Sequence, residues 1–467
     1  MATEILHTIS PSTNQTILTR ESLSSTDVAL LPAIALQSFN GNRLIPLEQR
    51  QAIVARALQI IDDRQHVLAR ELTLQMGRPI AYAAKEITTA VARGRYLLKI
   101  SGEALQDTEG EAEEGFKRYI RKAPIGPVLI LFAWNYPYLI LVNSLIPALL
   151  AGNSVIIKPS PQTPTIAEHV QQIFAEAGLP EKIIQYFHCG SMARLESITR
   201  APQIKLICFT GSVEGGLRVQ RAAADRVVPV GLELGGKDPA YVREDVDVKW
   251  AAEEIVDGAI FNSGQSCCSI ERVYVAESLH DEFVSAVQDV LRGYKLGDPL
   301  DPDTKIGPVV SKRSAETIKA HIADAISKGA KDSTPTDNQS FASPPPEGNY
   351  VKPTLLTNVT HDMDVMNDET FGPVIPVMKV GDDEEAVRLM NDSEFGLTAS
   401  IWTKDVNKGE ALAELVEAGT VFINRCDFPS PDLAWTGWKN SGKGVTLSKF
   451  GFEQFVKLKS FHIKRYP

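Results

Sequence analysis

Cysteine is scarce in this sequence, and the few cysteines follow no pattern that builds a disulfide framework or a metal site. Only five of the 467 residues are cysteine, and none belongs to a CxxC motif. The eight histidines are scattered without an HxxxH spacing. An odd, unpatterned set of cysteines argues against disulfides and suits a reducing compartment, which predicts a cytoplasmic protein. Without clustered ligands we predict no protein-bound metal.

Basic residues are not in surplus either. Lysine and arginine together number 48, against 58 aspartates and glutamates, which gives a net charge of −10. Nucleic-acid-binding proteins normally present a basic face, and this sequence contains no dense Lys/Arg block. We therefore predict no nucleic-acid partner.

Long apolar runs are also missing. The most apolar stretch, residues 138–152, is too short for a membrane span and contains Asn143, Ser144 and Pro147. The segment "MATEILHTISPSTNQT" has no basic leader and no long apolar core, so we expect no signal peptide. The sequence therefore predicts no membrane partner.

The first half of the sequence does contain a set of short apolar runs rich in valine and isoleucine. Helical or Pro/Gly-rich segments separate them, and they occupy residues 127–132, 154–158, 204–209 and 227–234. Such runs are typical of strands buried on both faces of a parallel sheet. A buried helix can mimic one run, but four in alternation favour an open, doubly wound α/β sheet.

The second half continues the alternation of helices and strands. Its pattern predicts a helix near 248–260, a strand at 272–276, helices at 280–292 and 313–328, and a strand at 420–424. The chain exceeds the size that one hydrophobic core usually reaches, so we interpret this half as a second α/β domain.

Segments outside these two blocks have their own patterns. Residues 48–76 carry apolar side chains at the spacing of an amphipathic helix, and 334–349, with three consecutive prolines, are typical of a surface loop. Residues 115–126 and the C-terminal tail alternate like exposed strands, which need a pairing partner. Partner subunits would supply that pairing, so we predict an oligomer.

Polar groups follow the predicted strands of the first sheet. The stretch "FTGSVEGG" (209–216) combines a strand end, a Gly-rich turn and a helix start, which suits phosphate but also a plain turn. Lys158 in "KPS" ends another strand, where it would bond a ribose or phosphate or simply face solvent. The stretch "GWKNSGKG" (437–444) lacks the Ser or Thr that a nucleotide-binding loop needs for magnesium.

Three further groups are candidates for chemistry. Asn135 in "AWNYP" would either stabilise an oxyanion or cap the next helix. Glu233 in "ELGGK" suits a general base with a raised pKa or a salt bridge. The adjacent Cys267 and Cys268 follow the polar stretch "NSGQS", which favours a cleft and a reactive thiol, although free cysteines are commonly buried and inert.

Six motifs in one order resemble the aldehyde dehydrogenase superfamily, over nearly the whole chain. They are strand-Trp-Asn, Lys-Pro-Ser, Phe-Thr-Gly-Ser, Glu-Leu-Gly-Gly-Lys, Gly-Gln-x-Cys and Glu-Thr-Phe-Gly-Pro (369–373). The resemblance implies a dinucleotide-binding domain (1–105 and 125–232), a catalytic domain (233–435) and a small β oligomerisation arm with the tail (106–124 and 436–467). It also implies a homodimer or homotetramer.

The resemblance further implies NAD(P)-dependent oxidation of an aldehyde to a carboxylic acid. Cys267 would be the nucleophile, Asn135 and the backbone N–H of Cys267 would stabilise the oxyanion, and Glu233 would activate the water that hydrolyses the thioester. An acylating, coenzyme A-dependent enzyme is one alternative, but such relatives typically lack this glutamate. A non-catalytic protein on the same fold is the other, although such descendants often lose the nucleophile or the base.

The resemblance also implies which residues bind the cofactor: Trp134, Lys158, Ser160, Gly211, Ser212, Gly216, Glu369 and Phe371. Ser212 would cap the helix beside the pyrophosphate. Where many NAD-preferring members have an acidic residue, this sequence has Pro161, so NAD is only slightly favoured over NADP. A loop at 425–436 would border the substrate, and its Phe428 and Trp435 suggest an apolar or aromatic aldehyde.

Overall fold

The predicted alternation of strands and helices is present in the computed structural model, which describes residues 4–466. The helices are α1 (Ser25–Asn42), α2 (Leu47–Asp63), α3 (Gln65–Met76), α4 (Ile80–Ala104), α5 (Pro137–Leu150), α6 (Thr165–Glu176), α7 (Met192–Arg200), α8 (Val213–Ala223), α9 (Val248–Ile260), α10 (His280–Arg292), α11 (Lys312–Ser327), α12 (Gln339–Ala342), α13 (Asp364–Asn367), α14 (Asp383–Asn391) and α15 (Val406–Ala413). Short 3-10 helices lie at Phe261–Gly264, Glu277–Leu279 and Phe450–Phe455.

The strands belong to three larger sheets and two short pairs. They are β1 (Ile5–Ile9), β2 (Thr16–Glu21), β3 (Thr108–Glu109), β4 (Phe116–Pro124), β5 (Val128–Leu131), β6 (Val155–Lys158), β7 (Ile184–Tyr186), β8 (Leu206–Thr210), β9 (Val230–Glu233), β10 (Asp238–Val242), β11 (Ile270–Ala276), β12 (Lys331–Asp332), β13 (Thr354–Thr357), β14 (Val374–Val380), β15 (Phe395–Gly396), β16 (Thr398–Trp402), β17 (Thr420–Ile423), β18 (Trp438–Lys439), β19 (Gly442–Lys443) and β20 (Val456–Lys464).

The four apolar runs of the first half are β5, β6, β8 and β9, which lie in one sheet of order β19-β9-β8-β5-β6-β7. Its pairings are parallel except for β19 with β9. Alternate side chains enter different cores: Val128 and Ile130 join one hydrophobic cluster, whereas Leu129 and Leu131 join another on the opposite face. Both faces are therefore buried, which explains the unbroken apolar runs.

The second half forms a seven-stranded sheet of order β12-β13-β14-β11-β10-β16-β17. All its pairings are parallel except β12 with β13. Its residues alternate in the same way: Val273 and Val275 face one cluster, and Tyr274 faces the other. The predicted α/β class with two sheets is confirmed, while the exact domain boundaries stay predictions.

The two exposed, strand-like segments pair with each other. β20 runs antiparallel to β4 from Val456 opposite Pro124 to Lys464 opposite Phe116, and β3 lies on the other side of β4. The chain therefore supplies this pairing internally rather than from a partner subunit, and the predicted oligomer stays a prediction. β20 still leaves one free edge of this three-stranded sheet.

Local differences from the expectations have simple causes. The helical segment over 48–76 is two helices, because Arg64 leaves the helical region with φ −97° and ψ 6°. Apolar side chains on both sides of the break enter the same core, so the periodicity hides it. Within 334–349, α12 buries Phe341, so this loop is only partly exposed. Gly442 and Lys443, in the predicted arm, pair with the first sheet.

In the part of the chain that the structure describes, no helix combines the length and the apolar character that crossing a bilayer requires.

Candidate active site

A cavity of about 550 Å³ brings together three of the residues singled out in the sequence. Asn135, Glu233 and Cys267 all lie on its wall, although they come from distant parts of the chain. Asn135 follows β5 and Glu233 ends β9, so both lie at the carboxyl ends of strands in the six-stranded sheet. Parallel sheets bind ligands at this edge.

The loop that presents Cys267 has an unusual backbone. Asn262, Ser263 and Gly264 have positive φ angles of 54°, 59° and 71°. At Gly264 a Cβ atom would lie 2.2 Å from the carbonyl oxygen of Gly372, so no larger side chain fits there. Consecutive left-handed residues cost free energy, and surrounding contacts must hold them. The result is a tight turn that places Cys267, half-buried, on the cavity wall.

The neighbouring cysteine has a different environment. Cys268 is 4% exposed and lies in a small apolar cluster with Leu397, Trp435 and Leu447. Its Sγ donates to Oδ1 of Asp427 at 2.9 Å. The hydrogen bond with Cys267, burial and the nearby carboxylate together raise the pKa of Cys268 well above its usual value. Cys268 is therefore held as a thiol.

Asn135 contacts the Cys267 loop directly. The residue is buried, and its Nδ2 donates to the backbone oxygen of Gln265 at 3.3 Å. The helix that follows has Tyr136 at its N-cap and no side-chain capping bond. The capping alternative is thus excluded, and the Asn135 amide faces the loop that carries the cysteine.

Glu233 is held by two hydroxyl groups. Thr446 Oγ1 donates to Oε1 at 2.5 Å, and Thr210 Oγ1 donates to Oε2 at 3.2 Å. Burial raises the pKa of the Glu233 carboxyl, while these two hydrogen bonds and the positive charge of Arg93 act in the opposite direction. Glu233 forms no ion pair with the residues that the structure describes, so the salt-bridge alternative does not hold.

Arg78 is a residue that sequence reasoning missed. It is fully buried, forms an ion pair with Glu86, donates from Nε to Oδ1 of Asn262 at 3.1 Å, and donates from Nη2 to the backbone oxygen of Asn135. One guanidinium thereby joins the Asn135 segment to the Cys267 loop. A lone arginine before a proline gives no signal of this role in the sequence, because its partners lie far along the chain.

The residues expected at the phosphate end of a dinucleotide lie on adjoining strand ends. Ser212 caps α8 by accepting a hydrogen bond from the N–H of Gly215 at 3.3 Å, as predicted. A Cβ at Gly216 would lie 2.5 Å from Leu234 Cδ2, so this glycine lets α8 approach β9 closely. Gly211 donates its N–H to the backbone oxygen of Glu233 at 3.0 Å.

Lys158 ends β6 and Ser160 follows it, at the same edge of the sheet. Both are half-buried. Burial lowers the pKa of Lys158, and among residues 4–466 its amine has neither a hydrogen-bond acceptor nor an ion-pair partner. A partly desolvated amine at the same sheet edge as the capped N-terminus of α8 fits the polar groups of a dinucleotide.

The remaining three candidates adjoin the Cys267 end. Trp134 meets Phe371 edge to face, with ring centroids 5.8 Å apart. Glu369 Oε1 accepts the N–H of Gly236 at 3.1 Å, and burial, with the nearby Glu271 charge, raises the pKa of Glu369 to about 8. Glu369 lies beside Gly236, where an added Cβ would be 2.3 Å from the backbone oxygen of Cys267, but all three candidates lie outside the wall of the cavity itself.

A second missed group positions this segment. Glu271 accepts hydrogen bonds from the N–H groups of Thr370 and Phe371 at 2.7 and 2.8 Å. Its other partner is Lys237, at 2.6 Å, and both members of the ion pair are buried. Lys237 belongs to the "ELGGK" motif, but its partner is visible only in three dimensions.

Comparison with known proteins agrees with this geometry. Residues 1–461 match the sequence profile of the aldehyde dehydrogenase family. The chain belongs to this family. The succinate-semialdehyde dehydrogenase [NADP(+)] of Deinococcus radiodurans is 32% identical over 98% of this chain and 96% of its own length. The 3,6-anhydro-alpha-L-galactose dehydrogenase of Streptomyces coelicolor is 31% identical over 98% and 93%.

Solved structures give the same result. The NADP-dependent glyceraldehyde-3-phosphate dehydrogenase of Bacillus halodurans, complexed with NADP, has a TM-score of 0.92 and 30% identity, covering 99% of this chain and 96% of its own. The predicted family, α/β fold class and enzyme class are thus confirmed. The protein is an aldehyde dehydrogenase that uses NAD or NADP.

Proposed function

We propose that the cavity is the active site and that Cys267 is its nucleophile. The observation that supports this proposal is that the Cys267 thiol, the Asn135 amide and the Glu233 carboxyl all belong to residues on the wall of the same cavity. Cys267 is partly accessible, whereas Cys268 is buried and bonded to Asp427. A thiolate at 267 attacks the carbonyl carbon of the aldehyde, forming a carbon–sulfur bond and an oxyanion.

Two donors are available to that oxyanion. The Asn135 amide carries two N–H bonds, and one of them is used in the 3.3 Å contact with Gln265. The backbone N–H of Cys267 has no acceptor among the described residues. Donors aimed at a developing negative charge commonly give one of the largest contributions to catalysis. Here they stabilise the tetrahedral thiohemiacetal oxyanion on its way to the thioester.

The family's dinucleotide, when bound, supplies the acceptor for the hydride that leaves the carbonyl carbon. The residues proposed to hold it are Trp134, Lys158, Ser160, Gly211, Ser212, Gly216, Glu369 and Phe371. The absence of an acid at Pro161 is compatible with NADP as well as NAD, and the predicted slight preference for NAD stays a prediction.

Glu233 is proposed as the general base for hydrolysis. Its carboxyl is oriented by Thr210 and Thr446, and burial raises its pKa. A carboxylate of increased basicity takes a proton from water more readily, and the resulting hydroxide adds to the thioester and expels the Cys267 thiolate. The presence of this base supports hydrolysis to the acid rather than transfer to coenzyme A.

The substrate is an aldehyde, and its predicted apolar or aromatic character depends on Phe428 and Trp435. Both line the cavity. Trp435 is 6% exposed and belongs to the cluster around Cys268, whereas Phe428 is 43% exposed beneath the guanidinium of Arg425 at 3.7 Å. A benzaldehyde assay tests this character.

We also propose that the chain forms a homodimer or homotetramer through its three-stranded sheet. The outer strand β20 has a free edge and exposes Leu458 and Ile463. Exposed apolar strands of this kind are usually covered. Light scattering of the purified protein tests the subunit number. A reducing compartment such as the cytoplasm remains our proposal, supported by five free thiols.

The adjacent cysteines provide the test of the nucleophile. Cys267→Ala should bind the dinucleotide but produce no NAD(P)H from any aldehyde, because no thiohemiacetal can form. Cys268→Ala should keep activity. Turnover by Cys267→Ala, or complete loss with Cys268→Ala in a folded protein, would overturn the assignment.

A further inference from the structure

The cavity contains a buried cation that no carboxylate neutralises. Arg93 extends from α4 into the cavity wall and is 5% exposed. Its Nη1 donates to Oδ1 of Asn143 at 3.0 Å, and its Nη2 donates to the backbone oxygen of Pro429 at 3.1 Å. Both acceptors are neutral, so they orient the guanidinium without balancing its charge.

The rest of this guanidinium is unused. Its Nε has no hydrogen-bond partner, and within residues 4–466 it forms no ion pair. Buried charges are ordinarily paired, because an isolated buried charge is costly. Burial lowers the pKa of Arg93 to about 10, which still leaves it protonated at neutral pH.

The other cations on the cavity wall differ from Arg93. Arg78 is neutralised by Glu86, and both members of that pair are buried. Lys85 and Arg425 are exposed and solvated. Among the described residues of the wall, Arg93 is therefore the buried cation that lacks a counter-ion.

Arg93 also lies close to the reacting groups. The Glu233 charge is the strongest favourable influence on the protonated form of Arg93, and Cys267 has the same effect more weakly. In return, the Arg93 charge lowers the pKa of Glu233. A small group bound to Arg93 is therefore within the same cavity as the proposed nucleophile.

We propose that Arg93 binds a carboxylate of the substrate, so that this enzyme oxidises a short aldehyde whose carbon chain ends in a carboxylate. The inference rests on the proposed oxidation of an aldehyde, and it replaces the predicted apolar or aromatic character of the substrate. The planar guanidinium retains one unused N–H on each of Nη1 and Nη2, and two parallel N–H bonds to a carboxylate are a favoured geometry. A single uncompensated positive charge matches one carboxylate better than a phosphate ester, which carries nearly two negative charges.

The test compares two aldehydes with the same carbon chain, 4-oxobutanoate and butanal, in the wild type and in Arg93→Met. If Arg93 holds the carboxylate, the substitution should lower kcat/KM for 4-oxobutanoate about 100-fold, mainly through KM, because the substrate charge is left unpaired. Because the Arg93 charge also lowers the pKa of Glu233, both aldehydes should lose some rate near neutral pH, so the deciding quantity is the ratio of their kcat/KM values. The ratio of 4-oxobutanoate to butanal should fall at least about tenfold. Arg93→Lys should recover part of the loss, since it keeps the charge without the planar pair of donors.

Several outcomes would overturn the proposal. Equal losses for both aldehydes in Arg93→Met would mean that Arg93 acts on Glu233 and not on the substrate. A substrate with a terminal carboxylate would be excluded if the wild type preferred butanal, benzaldehyde or glyceraldehyde 3-phosphate. The comparison is with 4-oxobutanoate and its shorter and longer homologues. Either result leaves the proposed function intact. Failure of every aldehyde with the wild type would instead contradict the proposed function itself.

A second measurement does not depend on a folded variant. Succinate should protect wild-type Cys267 from alkylation by iodoacetamide, whereas succinamide, which has the same shape without the charge, should protect weakly. Equal protection by the two compounds would contradict the proposal.

Discussion

The hydroxyl of Thr446 donates a hydrogen bond of 2.5 Å to the carboxyl of Glu233, although the two residues belong to opposite halves of the chain. The contact is made possible by β19, which pairs with β9 directly beside Glu233. Residues near the C-terminus therefore complete the environment of the proposed base. A hydrogen bond to the ionised carboxyl favours that form and so lowers its pKa.

Thr446→Val should raise the pKa of Glu233 further, because a donor to the carboxylate is lost while burial remains. A general base works only when deprotonated, so the rising limb of the kcat–pH profile should move to higher pH. The rate near pH 7 should then fall several-fold if hydrolysis limits turnover. Thr436→Val is the matched control, because the Thr436 hydroxyl bonds the Gly444 carbonyl and does not contact Glu233. An unchanged profile in Thr446→Val would argue against Glu233 as the base.

Arg78→Met should destabilise the protein by about 3–5 kcal/mol, because it leaves the buried Glu86 charge without its partner. Arg95→Met is the comparison: Arg95, in the helix that contains Glu86, pairs with Asp62 at the surface, and such a pair contributes at most about 1 kcal/mol. Denaturant unfolding of both variants measures the difference. Similar losses would mean that the buried pair has no special structural role.

Gly264→Ala should abolish activity or folding, because the added Cβ would meet the backbone of Gly372 at 2.2 Å in a loop with no room to shift. Gly329→Ala is the control that shows the effect of backbone strain without a steric clash. Gly329 also has a positive φ, but no atom lies within 4 Å of an added Cβ. That variant should lose about 1–2 kcal/mol and keep its activity. Activity and thermal unfolding of the two proteins check this, and an active Gly264→Ala enzyme would mean that the turn tolerates displacement.

The predictable part of the fold was the part with local causes. The runs that became β5, β6, β8 and β9 are apolar because both faces of each strand are buried, whereas the cap at Ser212 was implied by the family resemblance. The break at Arg64 was hidden, because the apolar positions of α2 and α3 enter the same core. The strand β19 was missed because two residues, Gly442 and Lys443, carry no periodicity.

The site was predictable where the chemistry resides in single residues. The residues themselves indicated Asn135, Glu233 and the adjacent cysteines, the family resemblance selected Cys267 of the two, and the structure brings all three groups to one cavity. The supporting contacts were not predictable: Arg78 bonds Asn262, which is remote in the chain, and no local pattern marks that pairing. No local pattern marks Arg93 either, because its buried charge is recognised only by the absence of an ion-pair partner among the described residues.

The central step of the proposed function is a thioester on Cys267 that is removed by water, which Glu233 activates. Glu233→Gln with dinucleotide and aldehyde tests it directly, through rapid NAD(P)H absorbance and mass spectrometry of the quenched protein. We predict one burst of NAD(P)H per active site and little turnover afterwards. Mass spectrometry should show an added acyl group on the peptide that contains Cys267. This added mass should be absent when Cys267→Ala is combined with Glu233→Gln and present when Cys268→Ala is combined with it. Full steady-state turnover by Glu233→Gln, or an acyl group that depends on Cys268, would contradict the claim.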